Sequence, residues 1–153
     1  EARLSLRPFP GRIPGLQFSY SLASGKGNLP ENPAWVMHLG AMTFSSARFR
    51  AVAQAVKGKG NSFGTYVDEA FRALPMEGFA LFGEWMLRKD LSVIGRYDRL
   101  NVEASSESDP LSHTIGGICY HFMSGQKVMV DLDLVDDGNG RQRILEVVME
   151  IRF

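Results

Sequence analysis

Residues 144–153 carry the pattern that the rest of the chain repeats. Leu145, Val147, Met149, Ile151 and Phe153 fall on one parity, and Ile144, Glu146, Val148, Glu150 and Arg152 fall on the other. A period of two belongs to an extended strand with one apolar and one wetter face; a helix would scatter the apolar set around its circumference. The alternation recurs at 3–7, 16–22, 35–42, 79–88, 91–98, 113–123 and 128–134. It is weakest at 49–56, where Ala51, Ala53 and Ala55 oppose Val52, Gln54 and Val56. Nine strands are predicted and no long helix, with a short helix expected only within 66–74.

The connections add a second pattern. Pro8, Pro10 and Pro14 break the chain after the first strand, and tight turns are predicted at 45–47, 89–90 and 124–126. Long polar loops lie near 24–34, 57–77 and 101–110, and 136–142 is intermediate, with Asn139-Gly140 as a hairpin turn. Short and long connections therefore alternate. Outer-membrane barrels have short periplasmic turns and longer external loops, whereas a soluble β-sandwich has no reason to keep such a parity. The expected fold is an all-β, transmembrane, antiparallel up-and-down β-barrel. Bacterial single-chain barrels have an even number of strands, so residues 1–153 are expected to be the C-terminal part of a larger barrel.

Composition changes this picture little. Seventeen basic and seventeen acidic residues cancel, which removes the basic footprint that nucleic-acid binding needs. No run approaches the roughly 18 apolar residues of a membrane helix, but a barrel strand needs only about 10 alternating residues. A single cysteine, Cys119, excludes an internal disulfide. The opening Glu1-Ala2-Arg3 already alternates and carries no signal peptide, as expected of a processed chain or one that begins inside a longer sequence.

The segments 78–85, 91–99 and 115–120, read as consecutive strands, together with the terminal Phe153, resemble outer-membrane porins, most closely the phosphate-selective porin O/P-like group. The likeness covers 78–153 by motif and the first half by strand rhythm alone. It implies a large water-filled barrel, usually trimeric, in the bacterial outer membrane. It also implies recognition of the last strand by the barrel-insertion machinery. The anion-binding arginines and lysines of that group have no counterparts that can be placed on this sequence.

In such a barrel the apolar parity meets lipid and the polar parity lines the lumen. Arg3, Arg7, Arg50, Glu84, Arg88, Arg96, Asp98, Lys127, Asp131, Asp133, Glu146, Glu150 and Arg152 are then expected inward. There they either set ion selectivity or brace the wall as cross-strand ion pairs. Tyr20, Trp35, Trp85, Tyr97, Tyr120, Phe122 and Phe153 are expected near strand ends as interfacial aromatics.

No metal site is expected: His113, Cys119 and His121 share a face but lack a fourth ligand. Asp137, Asn139, Gly140 and Glu146 echo a calcium loop whose first ligand would be Val135. The repeated Gly-Lys-Gly-Asn at 25–28 and 58–61 lacks the strand-to-helix setting of a phosphate loop. No catalytic arrangement of Ser, His and Asp is legible, so neither enzyme activity nor a cofactor is expected. The leading expectation is passive diffusion of small hydrophilic solutes or ions. The alternatives are a barrel that sheaths or anchors a partner protein, such as an electron-transfer conduit, and a soluble β-barrel that binds a small apolar ligand.

Overall fold

The computed structural model describes residues 1–28, 31–103, 110–123, 125–137 and 140–151. Nine strands follow one another: β1 (Ala2–Leu6), β2 (Leu16–Lys26), β3 (Ala34–Ser45), β4 (Phe49–Lys59), β5 (Pro75–Arg88), β6 (Leu91–Val102), β7 (Leu111–Met123), β8 (Gln126–Asp136) and β9 (Arg141–Glu150). Each pairs antiparallel with its neighbours in chain order, giving one up-and-down sheet with no crossover. No helix forms among the described residues. The edges β1 and β9 pair with β2 and β8 alone, so the sheet is not closed on itself. Both edge strands are exposed along almost their whole length.

The expected short helix within 66–74 does not form. Those residues make a miniature hairpin, with a bridge between Val67 and Ala73 and the Leu74 amide bonded to the Tyr66 carbonyl at 3.0 Å. Asp68 organises its tip: Oδ1 accepts the amides of Ala70 at 2.9 Å and Arg72 at 2.8 Å. An aspartate bonded to amides two and four residues on competes with helix formation. The Arg72 amide, then its guanidinium and the Ala70 amide, hold the Asp68 carboxyl below its usual range against the opposing effect of desolvation. Phe71 takes a φ of 56° to complete the turn.

The predicted connection pattern is present with shorter loops. Residues 46–48, 89–90 and 124–125 join strands at one end, while 27–33, 60–74, 103–110 and 137–140 join them at the other. The first connection, 7–15, is longer than its tight counterparts at the same end. Positions 29–30, 104–109, 124, 138–139 and 152–153 lie outside the described residues. With them go the Asn139-Gly140 turn, Arg152 and Phe153.

Burial within the sheet is one-sided. Met76, Glu84, Ser92, Cys119, Asp131 and Asp133 are the buried residues among the described strand positions, and strand register puts all six on one face. In a flat single layer both faces would be equally open, so the sheet curls toward this polar face. The opposite face carries Leu4, Phe18, Met42, Leu81, Trp85, Ile118, Val130 and Val147, all of them more than two-fifths exposed. The pattern is inverted relative to a water-soluble fold, in which large apolar side chains are the ones most often buried.

Register also drifts steadily across the sheet. Leu4 pairs with Tyr20, Tyr20 with Gly40, Gly40 with Ala55, and Ala55 with Phe79. The row continues through Arg99, Ser112 and Asp136 to Arg141. It starts nearer the short-turn end of β2 and leaves at the long-loop end of β8 and β9. Such a stagger accompanies strands tilted against a common axis.

Candidate functional site

The polar face is built as a chain of cross-strand contacts. At the short-turn end, Arg50 on β4 faces Glu84 on β5, with Nη1 3.1 Å from Oε2. Ser92 on β6 is fully buried and donates to Glu84 Oε1 at 3.0 Å. His121 Nε2 on β7 lies 3.1 Å from the same hydroxyl. Four strands are thereby tied by one polar thread. It brings together Ser, His and Glu, a grouping the sequence did not reveal because the three come from three strands. The serine has no access to solvent and spends its proton on the carboxylate, so the thread reads as a brace rather than a nucleophile with its base. Ser92→Ala leaves Glu84 short of a donor, and we expect it to lower stability by about 1–2 kcal/mol, read from the urea midpoint of the folded protein.

Further toward the long-loop end, Arg96 Nε sits 2.7 Å from Asp98 Oδ2. His113 bridges Asp98, at 3.8 Å from Nδ1, and Asp133, at 3.1 Å from Nε2. Lys127 Nζ reaches Glu150 Oε2 at 3.0 Å. Arg7 Nε donates to Gln17 Oε1 at 3.2 Å just beyond β1, and Arg3 lies on the same face opposite Ser21.

Of the charged residues expected on this face, the register places Arg3, Arg50, Glu84, Arg96, Asp98, Lys127, Asp131, Asp133, Glu146 and Glu150 there. Arg88 departs from the expectation. A register shift between Met86 and Arg88 sets it opposite Leu91, and its guanidinium pairs with Asp90 in the turn.

A scan of protein-family models and searches of curated proteins and of solved structures find nothing that matches this chain.

The apolar face is graded along the strands. Phe18, Phe44, Phe49, Trp85, Tyr120 and Phe122 cluster at the short-turn ends of β2, β3, β4, β5 and β7. Trp85, Tyr120 and Phe122 were expected at strand ends; Phe18, Phe44 and Phe49 were not singled out. Tyr20 and Tyr97 stand in strand interiors instead, Tyr20 with its hydroxyl 2.6 Å from His38 Nδ1 and Tyr97 against Phe79, ring centroids 5.7 Å apart.

Trp35 also departs from the expectation. Its parity is that of the polar face, and its indole lies over Gly25, where an added Cβ would come within 3.1 Å of Nε1. The outward residues of β3 are His38, Gly40, Met42 and Phe44, the parity opposite to that of Trp35. At the long-loop end the apolar face turns polar, with His38, Lys57, Glu77, Arg99 and Arg141 in neighbouring registers.

His113, Cys119 and His121 do not converge: His113 is engaged with carboxylates, His121 with Ser92, and Cys119 is buried opposite Ser92. The convergent acidic group is Asp131, Asp133 and Glu146. Sequence spacing could not reveal it, because Glu146 reaches Asp131 only through the β8–β9 register.

Proposed function

We propose that this chain is part of the wall of a bacterial outer-membrane β-barrel, porin-like, through which small hydrophilic solutes or ions pass by diffusion. The observation that carries the reading is the inverted side-chain distribution: a continuous apolar face left open, and a polar face with most of the burial. In water that face would leave many large apolar side chains unsatisfied; against lipid it needs no partner. On β5 it runs from Phe79 to Leu87, about 26 Å of strand at about 3.3 Å per residue. At a tilt of about 40° that is about 20 Å of height, near the ~25 Å apolar band of such barrels. The aromatic rim at the short-turn ends and the charged collar at the other end fit the two interfaces.

In this reading the polar face lines the lumen, and transport rests on pore size and on the field of its charges. Because Arg50, Arg96 and Lys127 are already paired with acidic partners, much of that field is local. No cofactor takes part. The test is reconstitution of the full-length protein in planar bilayers. Stepwise conductance that scales with salt concentration is expected; folded protein that inserts and never conducts overturns the channel.

A second reading, a barrel that sheaths a partner, draws on one feature. The polar face of β6–β9 also carries Ile94, Ile115, Met129, Ile144 and Val148 around the Asp131–Glu146 pair, apolar side chains that an enclosed protein segment could cover. A stoichiometric partner retained through detergent extraction, together with a blocked conductance, would favour it.

A further inference from the structure

We propose that Asp131, Asp133 and Glu146 form a binding site for a calcium ion on the polar face. Asp131 on β8 stands directly opposite Glu146 on β9, and Asp133 follows on the same face. One carboxylate oxygen from each residue lies within 4.8 Å of the other two. The two aspartates are only 3% and 8% exposed. Asp131 Oδ2 and Asp133 Oδ1 are both buried with no hydrogen-bond partner, although buried polar atoms are almost always paired.

Apart from the His113 contact with Asp133, no basic side chain among the described residues pairs with the group. Three carboxylates this close repel one another strongly once removed from water. The two cations on the same groove wall are engaged elsewhere, Arg96 with Asp98 and Lys127 with Glu150. Among the described residues no cationic side chain pairs with Asp131 or Glu146. His113 contacts Asp133 through Oδ2, which fixes that carboxylate and leaves Oδ1 free, as outer partners of metal ligands do.

The cradle is specific to this place. Gly117 faces Asp131 across β7–β8, and a Cβ there would come within 2.6 Å of the Asp131 Cβ, so the missing side chain is what lets Asp131 seat. The donors are all oxygen, which selects hard cations over zinc or copper. The three residues line a groove of about 260 Å³, room for water to complete the six to eight oxygens that calcium takes at about 2.3–2.6 Å. The site follows from strand register and does not depend on whether the protein conducts.

The experiment is calorimetric titration of CaCl2 into the full-length, chelator-stripped protein folded in detergent, with heat-modifiable gel migration as the check on folding. One calcium per chain is expected. Asp131→Asn combined with Asp133→Asn abolishes it, Glu146→Gln weakens it about tenfold, and Glu77→Gln on the apolar face leaves it unchanged. Glu146 is exposed, so Glu146→Gln remains informative if the double variant fails to fold. Absence of saturable binding up to about 10 mM, beyond the weakest calcium modules, overturns the proposal and leaves a proton shared among the carboxyls. Equal binding by the parent and Glu146→Gln overturns it as well.

Discussion

Leu81→Arg is expected to cost about 2–4 kcal/mol when the protein folds into lipid vesicles, because an arginine then sits on the lipid face near mid-bilayer. Leu81 lies on the apolar face between Ala53 and Tyr97 and is 49% exposed. In a protein surrounded by water, replacing a half-exposed leucine by arginine changes stability by only about 0.5 kcal/mol. The substitution therefore separates the two environments by its size alone. Gln54→Arg supplies the control. Gln54 lies on the polar face opposite Ala41 and Ala80, and its replacement should cost less than about 1 kcal/mol. Denaturant titrations of both variants in vesicles decide the matter, and comparable costs would sink the membrane reading.

The second large effect comes from two adjacent glycines that the sequence cannot tell apart. Gly117→Val is expected to lower stability by about 3 kcal/mol, the upper part of the usual overpacking range. Its Cβ would lie 2.6 Å from the Asp131 Cβ and 2.8 Å from the Val130 carbonyl oxygen. One of those neighbours is backbone and cannot rotate away, so β8 must shift. Gly116→Ala should stay within about 1 kcal/mol of the parent, since a Cβ there meets nothing within 4 Å and alanine restricts the unfolded chain more than glycine does. Thermal or urea unfolding of the two variants side by side checks the contrast. Gly117→Val should also displace Asp131 and weaken calcium binding, which Gly116→Ala should not.

Gly116 belongs to a small-residue row on the apolar face, where Ala51, Gly83, Gly95 and Gly116 are paired in succession. Gly117 belongs to the face that curls. The same residue type thus relieves a crowded position on one side and leaves a shallow groove on the other. The difference comes from curvature: bending a single sheet toward one face brings side chains together there and spreads them apart on the opposite one.

What the sequence determined by itself was local. Alternation needs only a two-residue memory, so the nine strands, most of their turns and the set of charges that share the polar face could largely be read from 144–153 and its repeats. Where local signals competed, the reading failed. The Asp68 side chain captured the amides that a helix over 66–74 would have used, and the register shift after Met86 turned Arg88 into the turn. On β3 both parities are apolar, Trp35, Met37 and Leu39 against Val36, Gly40 and Met42. Periodicity alone could not choose the outward one, and pairing with β2 and β4 chose it.

Tertiary structure alone decided which distant residues meet. The Arg50–Glu84–Ser92–His121 thread and the Asp131–Asp133–Glu146 group are set by register between strands, which depends on every turn and shift along the way. Curvature then decided which of those groups lost their water. A sequence shows that a carboxylate lies on the polar parity; only the curled sheet makes Asp131 buried and leaves its oxygen without a partner.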